Sequence, residues 1–424
     1  MRSVAFVLTL ILIFIIPWEG VLNFPLLGNQ ISSTISKFMG IGVAAFWVMT
    51  AIFTRRIRKL GAFHVVFLLF VIWNAVSIYW SKDPERTFAH ALTWFQLFLF
   101  VLILWDLYTT KPALRAGLQA YVLGAYIAFA SAIYNFLSGS AFYTYYDRFS
   151  SGDTNPDGFA FIMVLGIPAA WYLVSSESTS RWSRLLKFVN YCYIPIAFLG
   201  IALSGTRTSL VASIPGIAFG LLSMTRLRIS TRLAIMVSLF VGIILLLPFV
   251  QPLRSFQRLG TLTAELTQGD LNNRTNNWKE GLEAFKEYPI MGVGSNMYRS
   301  VNTWGKVAHN SFLSVLVEVG LVGFVLFGFI LTIAVSEAWG QPKWYALFWL
   351  TVLLVWAIGS FTLTWEYRKS TWVFLSLLIS SAAIFKTQAE TEQQAGRQKA
   401  GTRGISLPKL RELTPGEKER PSFV

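Results

Sequence analysis

Charge is scarce in this chain. Only 13% of its 424 residues are Asp, Glu, Lys or Arg, whereas soluble proteins contain about 25%. Hydrophobic residues make up 54%, and the mean hydropathy is +0.54. This composition excludes a soluble globular protein and predicts a polytopic protein embedded in a lipid bilayer. The net charge of +15 is explained by membrane topology, so nucleic acid is not an expected partner.

Cysteine and histidine are also rare, with one cysteine, Cys192, and three histidines. A single cysteine excludes a disulfide framework and a cysteine-based metal site. No outward loop holds an Asp-x-Asp pair or a His/Asp cluster with metal-ligand spacing, and there is no P-loop lysine pattern. We therefore expect no metal and no cofactor, so that cationic side chains must neutralise any bound phosphate.

Apolar runs predict an all-α protein with about twelve transmembrane helices, because one span needs roughly 20 mostly apolar residues. The first run, Val4 to Trp18, lacks a small-residue cleavage site and is interpreted as a span. The predicted spans lie near 3–20, 35–54, 60–80, 87–108, 113–137, 157–175, 188–204, 207–224, 231–250, 309–332, 344–363 and 371–385.

Loop charge predicts the orientation. Arginine and lysine concentrate in alternate short loops and after Lys386, so these segments and both termini are predicted to be cytoplasmic. The predicted organisation is nine helices in 1–250, a large outward loop at 251–308, three helices in 309–385 and a disordered cytoplasmic tail at 386–424.

Within the large loop, residues 277–286 have the pattern of an amphipathic helix. Trp278, Leu282 and Phe285 recur at helical spacing and are predicted to share one face. Asn277, with Glu280 three residues later, fits an N-cap arrangement.

His309 is the most informative candidate for chemistry, because it lies where the polar loop meets an apolar helix. The other two histidines, His64 and His90, lie inside apolar runs. One interpretation is an interfacial histidine that bonds a backbone carbonyl at the helix start. The functional alternative is a neutral imidazole that accepts a proton from a sugar hydroxyl.

Two arginines are candidates for binding an anion. Arg207 lies between two apolar spans, where ionisable groups are usually functional, although it could snorkel to the interface. Arg274 precedes the amphipathic helix, whose N-terminus suits an anion, although a solvated loop arginine is the alternative. Guanidinium groups bind phosphate oxygens in a bidentate fork and keep their charge, which favours a diphosphate as the ligand.

Two smaller groups carry weaker hypotheses. Glu366, Arg368 and Lys369 form an outward charged cluster that would contact substrate or lipid headgroups. Asp153 and Asp157 flank the start of the sixth span, where helix capping is the simpler explanation.

The arrangement resembles the O-antigen ligase and polymerase superfamily of bacterial membrane glycosyltransferases. The segment from Arg274 to Gly320 is specific as a unit, whereas each motif alone is weak. The residues that carry the resemblance are Ser204-Gly205-Thr206-Arg207, Arg274 before Asn277-Trp278, Tyr288-Pro289-Ile290-Met291-Gly292-Val293-Gly294, His309-Asn310-Ser311-Phe312-Leu313, Glu318-Val319-Gly320, Asn155-Pro156-Asp157 and Tyr367-Arg368-Lys369.

The resemblance implies a GT-C-like, metal-independent, inverting O-antigen ligase in the bacterial inner membrane. Such a ligase transfers glycan from undecaprenyl diphosphate to lipid A–core on the periplasmic face. Arg207 and Arg274 would bind the diphosphate, and His309 would activate the acceptor hydroxyl. Asn310, Glu318, Arg368 and Lys369 would support the site.

Three alternatives stay open. An O-antigen polymerase would use the same donor, but polymerases usually have two large outward loops, whereas 138–156 is short here. A protein O-oligosaccharyltransferase would need room for a polypeptide. A lipid-linked glycan transporter would show charged residues within several spans, and these are nearly absent. The sequence does not indicate the glycan, the acceptor sugar or the oligomeric state.

Overall fold

The computed structural model describes residues 1–21, 23–25, 32–143, 146–175, 181–261 and 274–403. The described residues form helices and one short antiparallel hairpin of β1 (Asn23–Pro25) and β2 (Ser32–Thr34). The helices are α1 (Arg2–Ile15), α2 (Ile35–Thr54), α3 (Ala62–Val76), α4 (Pro84–Leu107), α5 (Lys111–Leu137), α6 (Pro156–Ser175), α7 (Arg181–Ser204), α8 (Arg207–Met224), α9 (Ile229–Val250), α10 (Arg254–Gly260), α11 (Arg274–Glu287), α12 (Ser311–Trp339), α13 (Lys343–Ser360) and α14 (Lys369–Arg403).

Ten helices in the part of the chain that is described are long and apolar enough to cross a membrane. Two shorter apolar stretches, Arg2–Trp18 and Ile229–Gly242, lie where the first and ninth spans are predicted. The chain is therefore an all-α multi-pass membrane protein, as its composition predicts. The short break before Arg207 is also present, since α7 ends at Ser204 and Gly205 adopts a φ of +60°.

The last helix is longer than predicted. α14 continues to Arg403, so residues 386–403 of the predicted disordered tail are helical. The physical reason is composition, because this stretch is rich in Gln, Ala, Glu and Lys, which favour helix even where there is little apolar surface to bury. The remainder of the predicted tail, 404–424, lies outside the described residues.

Helix α6 is the centre of the bundle, and almost all of its side chains are buried. It packs against α5, α7, α8 and α13. Membrane helices gain little from the hydrophobic effect and associate through close packing, which small residues permit. Gly166 shows this directly, since a Cβ there would lie 2.1 Å from the Tyr193 hydroxyl.

The helix ends divide the bundle into two faces. One face, called here the site face, holds the starts of α2, α4, α6, α8, α12 and α14, together with the loop segments between 251 and 310. The opposite face holds the starts of α1, α3, α5 and α13. The described part of the long loop contains α10, α11 and a short 3₁₀ turn at Tyr298–Ser300.

Candidate functional site

His309 immediately precedes α12 and is held by its backbone. Its N–H donates to the Thr364 hydroxyl over 3.0 Å. Its φ is +49°, in the left-handed region that non-glycine residues seldom adopt. The next residue, Asn310, caps α12 by accepting from Phe312 N and Leu313 N, each over 3.0 Å. The backbone of His309 is therefore held by Thr364 on one side and by the cap of α12 on the other.

The two glycine motifs of the sequence meet at a break in α12. Gly320 has a φ of +66°, and a Cβ there would lie 2.2 Å from Ile290 O. Gly292 has a φ of +73°, and its Cβ would lie 2.5 Å from Glu318 O. Both positions therefore require glycine. The loop donates into the opened helix, from Val293 N to Val317 O (3.0 Å) and from Gly294 N to Glu318 O (2.8 Å).

Glu318 holds the next part of this loop, residues 296–298, by hydrogen bonds. Its carboxylate accepts from Asn296 N over 2.7 Å and from Tyr298 N over 3.2 Å. The predicted supporting residue is thus placed as a positioning group, because it joins the loop to the helix that begins beside His309.

The amphipathic helix is present as α11, and it includes Arg274 at its first position. Trp278 and Phe285 pack against the small hydrophobic cluster beside α12, as predicted, but Leu282 is 44% exposed. Gly281 faces inward instead, since a Cβ there would lie 2.3 Å from the Tyr298 hydroxyl. The prediction that Asn277 caps this helix is wrong: Asn277 lies inside the helix and donates to Val307 O over 2.9 Å.

Four guanidinium groups gather in one cluster, and one of them, Arg274, also interacts with His309. Arg148, Arg207, Arg258 and Arg274 lie close enough to interact electrostatically. In the described ranges, the acidic group that interacts with them is Asp157. Burial and the neighbouring arginines lower the pKa of Arg258 to about 10. The cluster therefore brings four positive charges close together in a partly buried place.

Hydrogen bonds fix three of these arginines. Arg148 Nη2 donates to Asp157 Oδ1 over 2.6 Å, and its Nε donates to Ser204 O over 2.7 Å. Arg207 Nε donates to Arg258 O over 3.0 Å, while Arg258 Nη1 donates to Gly205 O over 2.5 Å. These hydrogen bonds thus join the turn between α7 and α8 to the short helix α10.

The electrostatics keep His309 neutral. Burial, followed by the charge of Arg274, lowers its pKa to about 4, although Asp157 opposes this shift. Lys306 and Arg299 lower it further. At neutral pH the imidazole therefore has a free lone pair that can accept a proton.

Part of the sequence is similar to a known protein family. Residues 193–328 match the sequence model of the family described as O-antigen ligase. The matched segment includes Arg207, Arg274 and His309, and the resemblance predicted from the sequence is confirmed.

A curated relative matches a longer stretch of the chain than residues 193–328. The chain is 26% identical over 309 residues to exopolysaccharide production protein ExoQ of Rhizobium meliloti (strain 1021). The match covers 65% of this chain and 64% of ExoQ, so the chain spans slightly less than two thirds of that relative.

The predicted charged cluster near α14 separates into three environments. Glu366 is buried, its Oε2 has no hydrogen-bond partner in the described structure, and burial raises its pKa to about 7. Arg368 is exposed and lies over the rings of Trp365 and Tyr367. Lys369 forms an ion pair with Glu19 over 2.5 Å. Of these three side chains, Arg368 is the one that is exposed.

Sequence reasoning missed two of the clustered arginines. Neither Arg148 nor Arg258 belongs to a recognisable motif in the sequence. Arg258 lies on a short helix with Phe256 and Leu259, whose apolar spacing indicates that this part of the loop packs against the bundle. No group of His, Cys, Asp or Glu in the described part of the chain has the geometry of a metal site.

Proposed function

We propose that this protein is a membrane glycosyltransferase that moves a glycan from a lipid-linked diphosphate to a hydroxyl acceptor. The observation that supports this most is the cluster of Arg207, Arg258 and Arg274, of which Arg274 acts electrostatically on the neutral His309. Several guanidinium groups held close together in a partly buried place favour an anionic ligand, and a diphosphate is such a ligand. A neutral imidazole next to that anion is placed to act on the incoming hydroxyl.

The arginines have two roles in this proposal. They bind the donor diphosphate, and they stabilise the negative charge that grows on it as the bond between the sugar carbon and the phosphate oxygen breaks. Since that charge is larger in the transition state than in the bound donor, fixed guanidiniums accelerate the reaction and do more than bind. The hydrogen bonds of Arg207 and Arg258 preorganise these groups before the donor arrives.

His309 accepts the proton of the acceptor hydroxyl while the oxygen of that hydroxyl attacks the sugar carbon. Its low pKa makes it a weak base in the empty site. A bound diphosphate places negative charge beside Arg274, and this charge offsets the cation that lowers the pKa of His309. Donor binding therefore strengthens the base as the acceptor is about to react.

At the finer level, we propose an O-antigen ligase that transfers glycan from undecaprenyl diphosphate to lipid A–core in lipopolysaccharide biosynthesis. The protein would lie in the bacterial inner membrane with both termini cytoplasmic and the site face toward the periplasm. The match of residues 193–328 to the O-antigen ligase family supports this acceptor.

A second candidate is a polymerase that adds a glycan to another lipid-linked glycan. The similarity to ExoQ, described as an exopolysaccharide production protein, favours it. Both candidates use the same donor site, and they differ in the acceptor.

The test uses the purified full chain in lipid nanodiscs with undecaprenyl diphosphate-linked glycan as donor. Lipid A–core and a second lipid-linked glycan are offered separately as acceptors. His309→Ala is expected to lower transfer by roughly 10²- to 10⁴-fold, the usual contribution of a general base. Thermal unfolding checks that the variant remains folded.

Near-normal transfer by folded His309→Ala would exclude the proposed base. Transfer by the unaltered chain to lipid A–core identifies a ligase, and transfer only to the lipid-linked glycan identifies a polymerase. Transfer to neither acceptor would contradict the proposed function.

A further inference from the structure

A cavity of about 420 Å³ lies between α1, α2 and α4, roofed by residues 367–369. We propose that it is the acceptor seat and that it holds an acyl chain of a phosphorylated lipid. This inference rests on the proposed function, to which it adds the place and the chemistry of the acceptor anchor.

The deeper part of the cavity is apolar. Its walls come from three helices, and the apolar side chains include Leu12, Ile16, Ile41, Leu97, Phe100 and Ile103. Ligand cavities of a few hundred Å³ with apolar walls and a few polar groups bind elongated apolar molecules well. One hydrocarbon chain fits this description better than a sugar does.

The roof of the cavity is cationic. Lys369 pairs with Glu19 and donates to the Ser36 hydroxyl over 2.7 Å. Lys37 and Arg368 also line the cavity, so three cations face one carboxylate there. A chain whose head carries a phosphate would complement this charge.

The His90 ring lines one wall of the cavity. The Ser295 hydroxyl donates to Asn74 Oδ1 over 2.7 Å, so it must accept from His90 Nδ1, which lies 2.9 Å away. These hydrogen bonds hold the ring in place at the cavity wall.

The donor diphosphate is assigned to Arg207, Arg258 and Arg274, none of which lines this cavity. This separation is why we assign the cavity to an acyl lipid rather than to the prenyl donor.

The location agrees with an acceptor seat. His309 N bonds to Thr364, and Tyr367, three residues later, lines the cavity. The clustered arginines are not among the residues that line it. The donor diphosphate and the acceptor lipid would thus reach His309 from different sides, as a two-lipid reaction requires.

Two glycines of α2 provide a matched test. Gly40 lines the cavity, Gly42 does not, and neither would meet a heavy atom within 4 Å of an added Cβ. Binding of lipid A and of undecaprenyl diphosphate to the full chain is measured by native mass spectrometry. Gly40→Trp is expected to weaken lipid A binding at least tenfold and to leave undecaprenyl diphosphate binding unchanged. Gly42→Trp is expected to bind both as the unaltered chain does.

A second variant tests the roof without touching the apolar walls. Arg368 is exposed, so Arg368→Ala is expected to fold normally. It should weaken binding of lipid A several-fold but leave binding of dephosphorylated lipid A unchanged.

Unchanged lipid A binding in Gly40→Trp would overturn the proposal, as would absence of lipid A binding to the unaltered chain. Loss of undecaprenyl diphosphate binding instead would assign the cavity to the donor and also overturn it. Because binding requires no turnover, an unaltered chain that binds both lipids but transfers no glycan would contradict the proposed function and leave the acceptor seat supported.

Discussion

Arginines gather at both ends of this bundle, but they are satisfied in different ways. At the opposite face, the buried Asp106 accepts from Arg2 Nη2 over 2.7 Å, from Trp47 Nε1 over 3.1 Å and from Arg58 N over 3.0 Å. Arg58 also lies over the ring of Trp105 at 3.7 Å. At the site face, Arg148, Arg258 and Arg274 interact with Asp157, and Arg207 lies close to Arg258 and Arg274.

The two clusters differ in their partners, and we interpret the first as structural and the second as part of the proposed donor site. Asp106 joins α1, α2 and α4 and the segment before α3, and its donors come from the protein itself. The site-face cluster brings four guanidiniums together in a partly buried place. Under the proposed function, the donor diphosphate interacts with these groups.

Exchanging arginine for alanine at each end tests this comparison most strongly. Arg274→Ala is expected to lower transfer by about 10²- to 10³-fold, the loss typical for removing one group that stabilises transition-state charge. Arg274→Lys should recover only part of it, because lysine lacks the bidentate fork. The matched variant Arg58→Ala removes a guanidinium at the opposite face and should leave kcat/KM unchanged.

Kinetics of the three purified variants provide the measurement. Full recovery by Arg274→Lys would argue against bidentate binding of the diphosphate. An equal loss in Arg58→Ala would show that both clusters act through the stability of the bundle, and the distinction between them would fail.

How much of this could be predicted depends on where each residue lies. The spans follow from hydropathy, and His309, Arg207 and Arg274 stand out because polar residues are rare at the ends of apolar helices. Arg148 and Arg258 do not stand out, since Arg148 reaches the cluster through Ser204 and Asp157. Arg258 joins it only when α10 packs against the turn at Gly205. That contact joins residues 53 apart, and no local pattern encodes it.

The inward face of α11 was unpredictable for a related reason. Spacing alone puts Leu282 with Trp278 and Phe285, but Tyr298 occupies the space beside Gly281 and turns that side of the helix inward. The two glycine motifs could be located in the sequence, yet their contact across the break in α12 becomes clear only in three dimensions. Predictions from periodicity succeed where lipid sets the pattern and fail where one loop packs on another.

Asp106 offers a second, smaller test of the comparison, through stability. Asp106→Leu is expected to lower the free energy of unfolding by about 1–3 kcal/mol, because the buried Trp47 N–H loses its acceptor. The contribution of Arg2 is small, since its side chain is 40% exposed. Thermal unfolding of the purified chain measures the loss, and the KM for the donor should stay unchanged in the folded fraction. A raised donor KM would mean that the opposite face also contributes to donor binding.

The smallest expected effect is a shift in pH dependence. Burial and then nearby cations lower the pKa of His309 to about 4, and Lys306 is one of those cations. Lys306→Glu replaces an exposed positive charge with a negative one, so the pKa of His309 should rise toward its ordinary value. The base acts only when neutral, and it is lost as the pH falls through this pKa. The acid limb of kcat/KM, which reports the free enzyme, should therefore move to higher pH in Lys306→Glu.

Lys279→Glu, an equally exposed change on α11 that does not contribute to the pKa of His309, provides the control. A limb that moves equally in both variants would reflect total charge, and one that moves in neither would mean that a group other than His309 controls the reaction.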